Sequence, residues 1–588
     1  MTRSRARALL SRAMNSNSRE AAAARAAALL AEATLEEKAG LLFHPATYIG
    51  RERDLELVRT RGISHLNIVD GSDPAEIARW HNALQEAAEE TRLKIPVTLS
   101  SDPRHHVRSS PVAGESIAAL SRWPETTGIA AGGDKEVARL CGDTVRQELT
   151  ALGIRVLLGP MADIFSDPRW SRGYGTFGED PEVVRRFTVA FIEGLRGGTE
   201  LGPASVAAMV KHFPGAGPQK DGRDAHDPRF REQVYPGGAQ ALHLAPFEAA
   251  IAAGVTQMMT YYGMPIRTEW EEVGFAFNRP VVRDLLRKRL GYTGIICSDW
   301  NVIDGAPREE FTFGPNAWGL EHLTPTQRMA RALSVGVDQF GGDDCVDVAI
   351  NLVISGEVSE ARIDESALRL LTEKFQLGLF DQRRVDPTTS AARVGTPELR
   401  ARGDEAQRNS LVLLQHNATQ LSLPLTNGVR IYCEGFSAAS LTEFAAEAIE
   451  PESAGLIVVR LNAPYEVGDG RFDEWFHGGS LDFPEAVVDH VRDLSHIAPV
   501  IVSVFLERPA ILTPLLPHAS VLIGDFGASD ENLLKLLFGE VPFTGRLPFD
   551  LPRSMTAVER SKEDLPFDTE DPLFRHGFGL TGEGVPAT

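Results

Sequence analysis

The 588-residue chain is poor in cysteine: its four, Cys141, Cys297, Cys345 and Cys433, lie far apart and form no CxxC. A disulfide framework is not expected, and a reducing compartment is allowed. The chain is also short of positive charge. Lys and Arg number 60 against 81 Asp and Glu, a net charge of −21. A field of that sign does not gather nucleic acid or anionic membrane, so neither is expected as a partner, although a local basic patch is allowed. No apolar run is long enough to span a bilayer. The first forty residues begin basic but lack the continuous apolar segment and small-residue cleavage site of a signal peptide. The expected compartment is the cytoplasm.

What is present is ordinary for a soluble globular protein, with 43% hydrophobic and 24% charged residues. The length exceeds a single core and implies at least two domains. Residues 1–33 read as a frayed tail (1–20) and an Ala-rich surface helix (21–33). From about residue 60 to 380, short β-type runs alternate with helical patterns. The predicted strands are GISHLNIV (62–69), IPVTLSS (95–101), IRVLLG (154–159), SVAAMVKHF (205–213), TQMMTYY (256–262), GIICSD (294–299) and GVDQFGG (336–342). Such alternation gives a parallel sheet with helices outside, and seven or eight units fit an α/β fold of the (β/α)8 barrel type over residues 34–380. Residues 381–400, rich in Pro, Thr and Ser, read as a linker. A smaller α/β layer domain is expected over 401–588, with strands at 429–435, 456–461, 499–506 and 520–526.

The polar residues of the first region fall just after its apolar runs: Asp102, Asp163, Lys211 with His212, Tyr261 and Asp299. In a barrel those ends share one face, where sites of this fold lie. The stretch KHFPGAGPQKDGRDAHD (211–227) ends an apolar run in two basic side chains and continues into an acid-rich loop. The loop GPMADIFSDPRWSRGYGTFGEDPEVV (159–184) sets Arg169 and Arg172 beside Trp170. A flat apolar face with forked donors suits a sugar; fixing the loop to the barrel is the plainer role. Asp299, in CSDWNVIDG, is placed to be a nucleophile or to cap the next helix.

These motifs, in their order, resemble glycoside hydrolase family 3, the family of β-glucosidases, exo-β-glucanases and β-N-acetylglucosaminidases. The resemblance is carried by TLEEKAG, IPVTLSSD, GPMADIFSDPRWSRGYGTFGEDP, KHFPG, CSDW, GVDQF, RIDESALRLLTEKFQLGLF and FTGRLPFDLP, and runs from about residue 34 to about 580. It implies a barrel followed by an α/β sandwich, retaining hydrolysis of a terminal β-linked sugar, and no cofactor. Asp299 then matches the nucleophile, and Trp300 matches a neighbour that helps form the next sugar subsite. Asp102, Arg172, Lys211 and His212 match residues that hold the sugar being cleaved, and Tyr261 a tyrosine near the nucleophile. The sequence departs from the pattern at Ser171, where Gly is common, at Gly175, where many members have Glu, and in the longer loop after KHFPG.

Retaining hydrolysis also needs an acid/base. The resemblance offers two solutions. Glu466, in RLNAPYEVGDGRFDEW (460–475), matches a second-domain glutamate used by β-glucosidases, with Asp469, Asp473 and Glu474 as neighbours. Asp224 and His226 form the Asp-x-His pair used by N-acetylglucosaminidases, two residues farther from Lys211 than in that pattern. Glu466 is the expected acid/base and Asp224–His226 the alternative. Asp221, Asp224, His226 and Asp227 suit a metal by residue type, but their spacing carries no signature, so no metal is expected. The expected function is a retaining exo-acting β-glucosidase acting on small oligosaccharides or glycosides. The alternatives are an exo-β-N-acetylglucosaminidase and a sugar-binding protein without turnover. The sequence does not set the oligomeric state; a homodimer is allowed.

Overall fold

The computed structural model describes residues 18–108, 116–307, 312–468 and 471–581. The expected tail lies mostly outside them, as does Asp469.

Among the described residues, eight short strands of the first region close into a parallel barrel, residues 43–47 counted as one. Seven pair in sequence from Ala46–Thr47 through His65–Ile68, Thr98–Ser101, Ile154–Leu157, Ala207–Phe213 and Gln257–Thr260 to Ile295–Cys297. The ring is completed by Phe340–Gly341, which bridges to Cys297 through Gln339 and pairs in parallel with Phe43–His44. Alternate side chains separate two layers. Val156, Ala207, Met209, Met259 and Cys297 pack inside the barrel with Leu377 and Leu379, whereas Leu157, Val210 and Met258 join the larger core under the helices. The Lys374 ammonium sits buried among the Ser64 and Pro96 carbonyls and the Thr98 hydroxyl, where burial holds it well below the ordinary lysine range.

The helices begin where the sequence says they should. Asp73, Asp134 and Asp180 each accept a backbone N–H in the first turn of Pro74–Glu89, Lys135–Ala151 and Pro181–Arg196. The last two touch backbone to backbone, since a Cβ on Gly194 would stand 2.1 Å from the Arg139 carbonyl. The Ala-rich segment forms the helix Arg19–Leu30, capped by Ser18, with Ala22 and Ala26 buried.

The stretch read as a linker is mostly helical. Asp386 caps Pro387–Arg393 and Thr396 caps Pro397–Ser410. Its chain is strapped to the barrel: Ser390 donates to the Ala151 carbonyl, Gly395 N to Glu148, and Asn82 to the Val385 carbonyl.

The second region holds a six-stranded sheet in the order Val412–His416, Val521–Asp525, Val500–Phe505, Leu456–Asn462, Arg430–Glu434, Ala446–Glu447. Only the first pair is antiparallel. Period-two alternation splits its two faces. Ile457, Val459, Val500, Val502 and Val504 belong to the same continuous core as the barrel, whereas Leu456, Val458, Ile501, Val521 and Ile523 pack in a separate cluster on the other face. One face of the second sheet is therefore buried in the core it shares with the barrel.

Candidate active site

Asp299 follows the strand Ile295–Cys297 and is 7% exposed. Its Oδ1 accepts the N–H of Trp300 at 2.8 Å. Its Oδ2 is buried with no hydrogen bond. Burial pushes the carboxyl up from its ordinary range, while His226, then Arg172 and Lys211, pull it back. The Tyr262 hydroxyl feels the Asp299 charge but gives its own hydrogen to the Trp300 carbonyl at 2.8 Å. Trp300 is half-buried against His44, ring centroids 5.5 Å apart, over a residue that has to be glycine: a Cβ on Gly341 would lie 2.6 Å from the indole.

Lys211 and His212 end the strand Ala207–Phe213. The Lys211 ammonium, 7% exposed, donates at 2.8 Å to Asp102 Oδ1, which follows Thr98–Ser101, two strands away in the sheet. His212 is anchored to Asp163, whose carboxylate accepts the His212 and Ala216 backbone N–H groups and the imidazole Nδ1–H. Tyr261 packs on the His212 ring at 5.2 Å. Arg172 comes from the long loop after Ile154–Leu157. Its Nε lies 4.0 Å from Asp224 Oδ2, and its Nη1 is buried without a hydrogen bond. Within that loop Arg169 pairs with Asp167 at 2.7 Å, and it reaches outside the loop to Asp221 at 3.5 Å and Glu563 at 3.7 Å, an anchoring role.

The two acid/base expectations are placed differently. Asp224 Oδ1 accepts from His226 Nδ1 at 2.5 Å, and both residues are buried. The imidazole is stacked on Phe476 of the second region (4.5 Å, 23°) and meets Tyr262 edge-on (4.6 Å, 68°). His226 is the strongest opposite charge acting on Asp299. Glu466 does not share that burial. Its side chain is 55% exposed and its Oε2 accepts from Arg223 at 2.8 Å. Asp473 is buried 3.6 Å from Arg229, and Glu474 is exposed.

A cavity of about 340 Å³ opens between Asp102, Arg172 and Lys211 on the barrel and Tyr465, Trp475, His477 and Glu507 on the second region. Arg172 and Lys211 thus line this cavity and also act through their charge on Asp299. Across it, His477 donates to Glu507 at 2.6 Å, and Tyr465 stacks on His477 at 3.8 Å. Sequence reasoning did not single out Tyr262, Phe476, His477 or Glu507. Tyr262 adjoins Tyr261 at a strand end and could have been found from that. The others meet the barrel only through the docking of two regions far apart in the chain, which leaves no spacing signal. Among the described residues, no group of three or more His, Cys, Asp or Glu is placed to hold a metal, and no helix is long and apolar enough to cross a membrane.

A buried carboxylate with one unengaged oxygen, an imidazole on a carboxylate beside it, and fixed donors and acceptors around both are the working parts of a glycoside hydrolase. Comparison with known proteins makes the assignment definite. Residues 34–373 match the model for the glycosyl hydrolase family 3 N-terminal domain. The chain is 41% identical to a beta-glucosidase C of Emericella nidulans, over 94% of this chain and 91% of that one. It is 37% identical to a periplasmic beta-glucosidase/beta-xylosidase of Dickeya chrysanthemi, over 95% and 90%. Among solved structures, an exo-1,3/1,4-beta-glucanase of a Pseudoalteromonas species superposes with a TM-score of 0.79 at 22% identity, covering 96% of this chain and 97% of that one. The chain belongs to glycosyl hydrolase family 3 and is a glycoside hydrolase.

Proposed function

We propose that the chain is an exo-acting β-glucosidase of the retaining type, with Asp299 as nucleophile. The observation that carries this reading is the buried Asp299 carboxylate, with Oδ2 unbonded and His226 the leading opposite charge upon it. The names of the 37–41% identical relatives support glucose as the sugar. Asp102, Arg172, Lys211 and His212 hold its hydroxyls, and Trp300 flanks the departing group.

The geometry favours the Asp224–His226 pair as the acid/base over Glu466. In the first step Asp299 Oδ2 bonds to the anomeric carbon while the His226 imidazolium gives its Nε2 proton to the departing oxygen. Asp224, accepting from Nδ1, stabilises the imidazolium and fixes the ring. In the second step a water gives its proton to Nε2 as its oxygen displaces Asp299 from the same carbon. Two inversions leave the β-configuration unchanged. A histidine in this role does not by itself demand an N-acetylated sugar. Glu466 is kept as a second reading because Arg223, which holds it, adjoins Asp224 in the chain.

A panel of chromogenic β-glycosides on the purified protein tests the substrate. The glucoside should give the highest kcat/KM, with β-glucose as first product. A preference for the N-acetylglucosaminide would move the assignment to that activity. Binding without turnover would leave a sugar-binding protein.

A further inference from the structure

His212 has one nitrogen left for a ligand, and the structure determines whether that nitrogen gives or takes a hydrogen. The ring's Nδ1 lies 2.9 Å from Asp163 Oδ2. Asp163 is fully buried; its oxygens also accept the backbone N–H groups of His212 at 3.2 Å and Ala216 at 2.7 Å. Burial pushes the Asp163 carboxyl up to about 6, so above that pH it is a carboxylate. A carboxylate only accepts, so Nδ1 carries the hydrogen. Burial, then Arg172 and Lys211, hold the imidazole well below its ordinary range, so the ring is neutral. A neutral imidazole has a single N–H, and with it on Nδ1 the other nitrogen is a bare lone pair. Nε2 makes no hydrogen bond among the described residues. Lys211, one residue earlier, can only donate.

We propose that Asp163 is a positioning residue that sets the hydrogen-bonding sense of His212, so that Nε2 accepts from a sugar hydroxyl while Lys211 donates to one. The proposal rests on the reading of this face as the sugar site. It adds a specificity rule: the hydroxyl beside His212 has to give its hydrogen. Replacing that hydroxyl by fluorine, which cannot donate, is then as harmful as deleting it. In Asp163→Asn the amide can still serve Ala216 N through its oxygen. It presents N–H groups where Oδ2 had accepted, so the ring hydrogen moves to Nε2 and the ring becomes a donor toward the ligand.

Nitrogen-15 spectra of histidine-labelled wild-type protein at pH 7.5 test the first half without any sugar. The His212 signals are those lost in His212→Gln. The Nδ1–H tautomer is expected; the Nε2–H tautomer, or an averaged ring, overturns the proposal even if Asp163→Asn proves unable to fold. The second half is read from kcat/KM on aryl β-glucosides carrying deoxy or deoxyfluoro groups in turn at C2, C3, C4 and C6. Each substrate is compared between wild type and Asp163→Asn, so its inherent reactivity cancels. On the parent glucoside the variant should lose roughly 10- to 100-fold. At one position the fluoro substrate should lose at least about five-fold less than the parent, because fluorine can still accept from Nε2–H. An equal loss on every substrate makes Asp163 a structural residue only and defeats the proposal. A wild type inactive on the parent glucoside, with the expected tautomer, overturns the ligand half together with the reading of the site.

Discussion

Two loops offer a carboxylate to the same reaction, and their surroundings differ sharply. The barrel loop after Ala207–Phe213 brings Asp224 to 4% exposure with an imidazole bonded to it. The second-region loop after Leu456–Asn462 carries Glu466 in solvent, answering to Arg223. That second loop is held by its main chain. The buried Arg508 guanidinium donates to the carbonyls of Pro464, Gly479 and Arg169, and Glu466 N donates to Gly478 O. What the second loop puts against the reacting groups is the Phe476 ring. Proton chemistry is served best by a group whose partner and burial are fixed, and of Asp224–His226 and Glu466 it is the barrel pair that has both. The second region, in this arrangement, contributes shape.

The largest effect belongs to the barrel alone. Asp299→Asn should lower kcat by at least about 10³-fold, because it removes the carboxylate proposed to bond to the sugar, while the thermal midpoint barely moves. A 2-fluoro-glycoside that traps the intermediate should label the peptide containing CSDW. Label on another peptide, with Asp299→Asn still turning over, would show that the nucleophile has been misplaced.

Next comes the contest between the loops. General acid–base help is worth roughly 10²–10⁴-fold. His226→Ala should lose that much on glucosides with alkyl leaving groups and far less in the first step on activated aryl glucosides. Azide, which needs no deprotonation, should then restore turnover as a β-glycosyl azide. Glu466→Ala should stay within about tenfold of wild type and gain nothing from azide. The reverse pattern hands the role to the second region and removes the contrast drawn above.

Much of this was legible in the sequence. Seven barrel strands stand out as short apolar runs, five of them followed by a singled-out polar residue, and Asp299, Lys211 and His212 are found by that rule. The first strand is not, because Pro45 splits Phe43–Thr47 into two pairs of residues. Val412–His416 is not singled out either; it begins one residue after the helix Pro397–Ser410, with no turn signal between them. The helices within the linker went unread for an instructive reason: in Asp386-Pro387 and Thr396-Pro397 the prolines mark helix starts, each after a capping side chain. The sequence reading expected Glu466 from its context; the preference proposed here for Asp224–His226 comes from burial, which holds that pair and leaves Glu466 exposed, and burial is not legible in spacing.

A smaller effect tests whether shape is what the second region supplies. The Phe476 ring lies flat against His226, 4.5 Å between centroids. Phe476→Ala removes that wall and leaves the Asp224 hydrogen bond in place. We expect kcat to fall about tenfold with little change in KM, because a loosened ring spends less time aligned with the leaving oxygen. A rise in KM with kcat unchanged would instead make Phe476 part of the sugar-binding wall.

The last effect is read in stability rather than in rate, and concerns the grip between the two regions. Glu179, on the barrel's long loop, accepts the backbone N–H groups of Asp550 at 2.7 Å and Phe567 at 2.6 Å. It is 3% exposed, and burial, reinforced by Asp550 and Asp180, pushes its carboxyl from 4.5 up to about 8. Below about pH 4.5 the folded and unfolded chains both keep this proton. Between there and about pH 8 the unfolded chain has released it and the folded chain has not, so folding takes up a proton. Stability therefore falls as pH rises through that window, by at most about 1.4 kcal/mol per pH unit. Glu179→Gln has no proton to exchange. Its urea midpoint should match wild type near pH 4.5 and exceed it progressively toward pH 8, while groups that titrate in both proteins cancel. Parallel curves across the window would mean that Glu179 ionises in the folded protein as it does in water, and that the two regions are not held by a protonated acid.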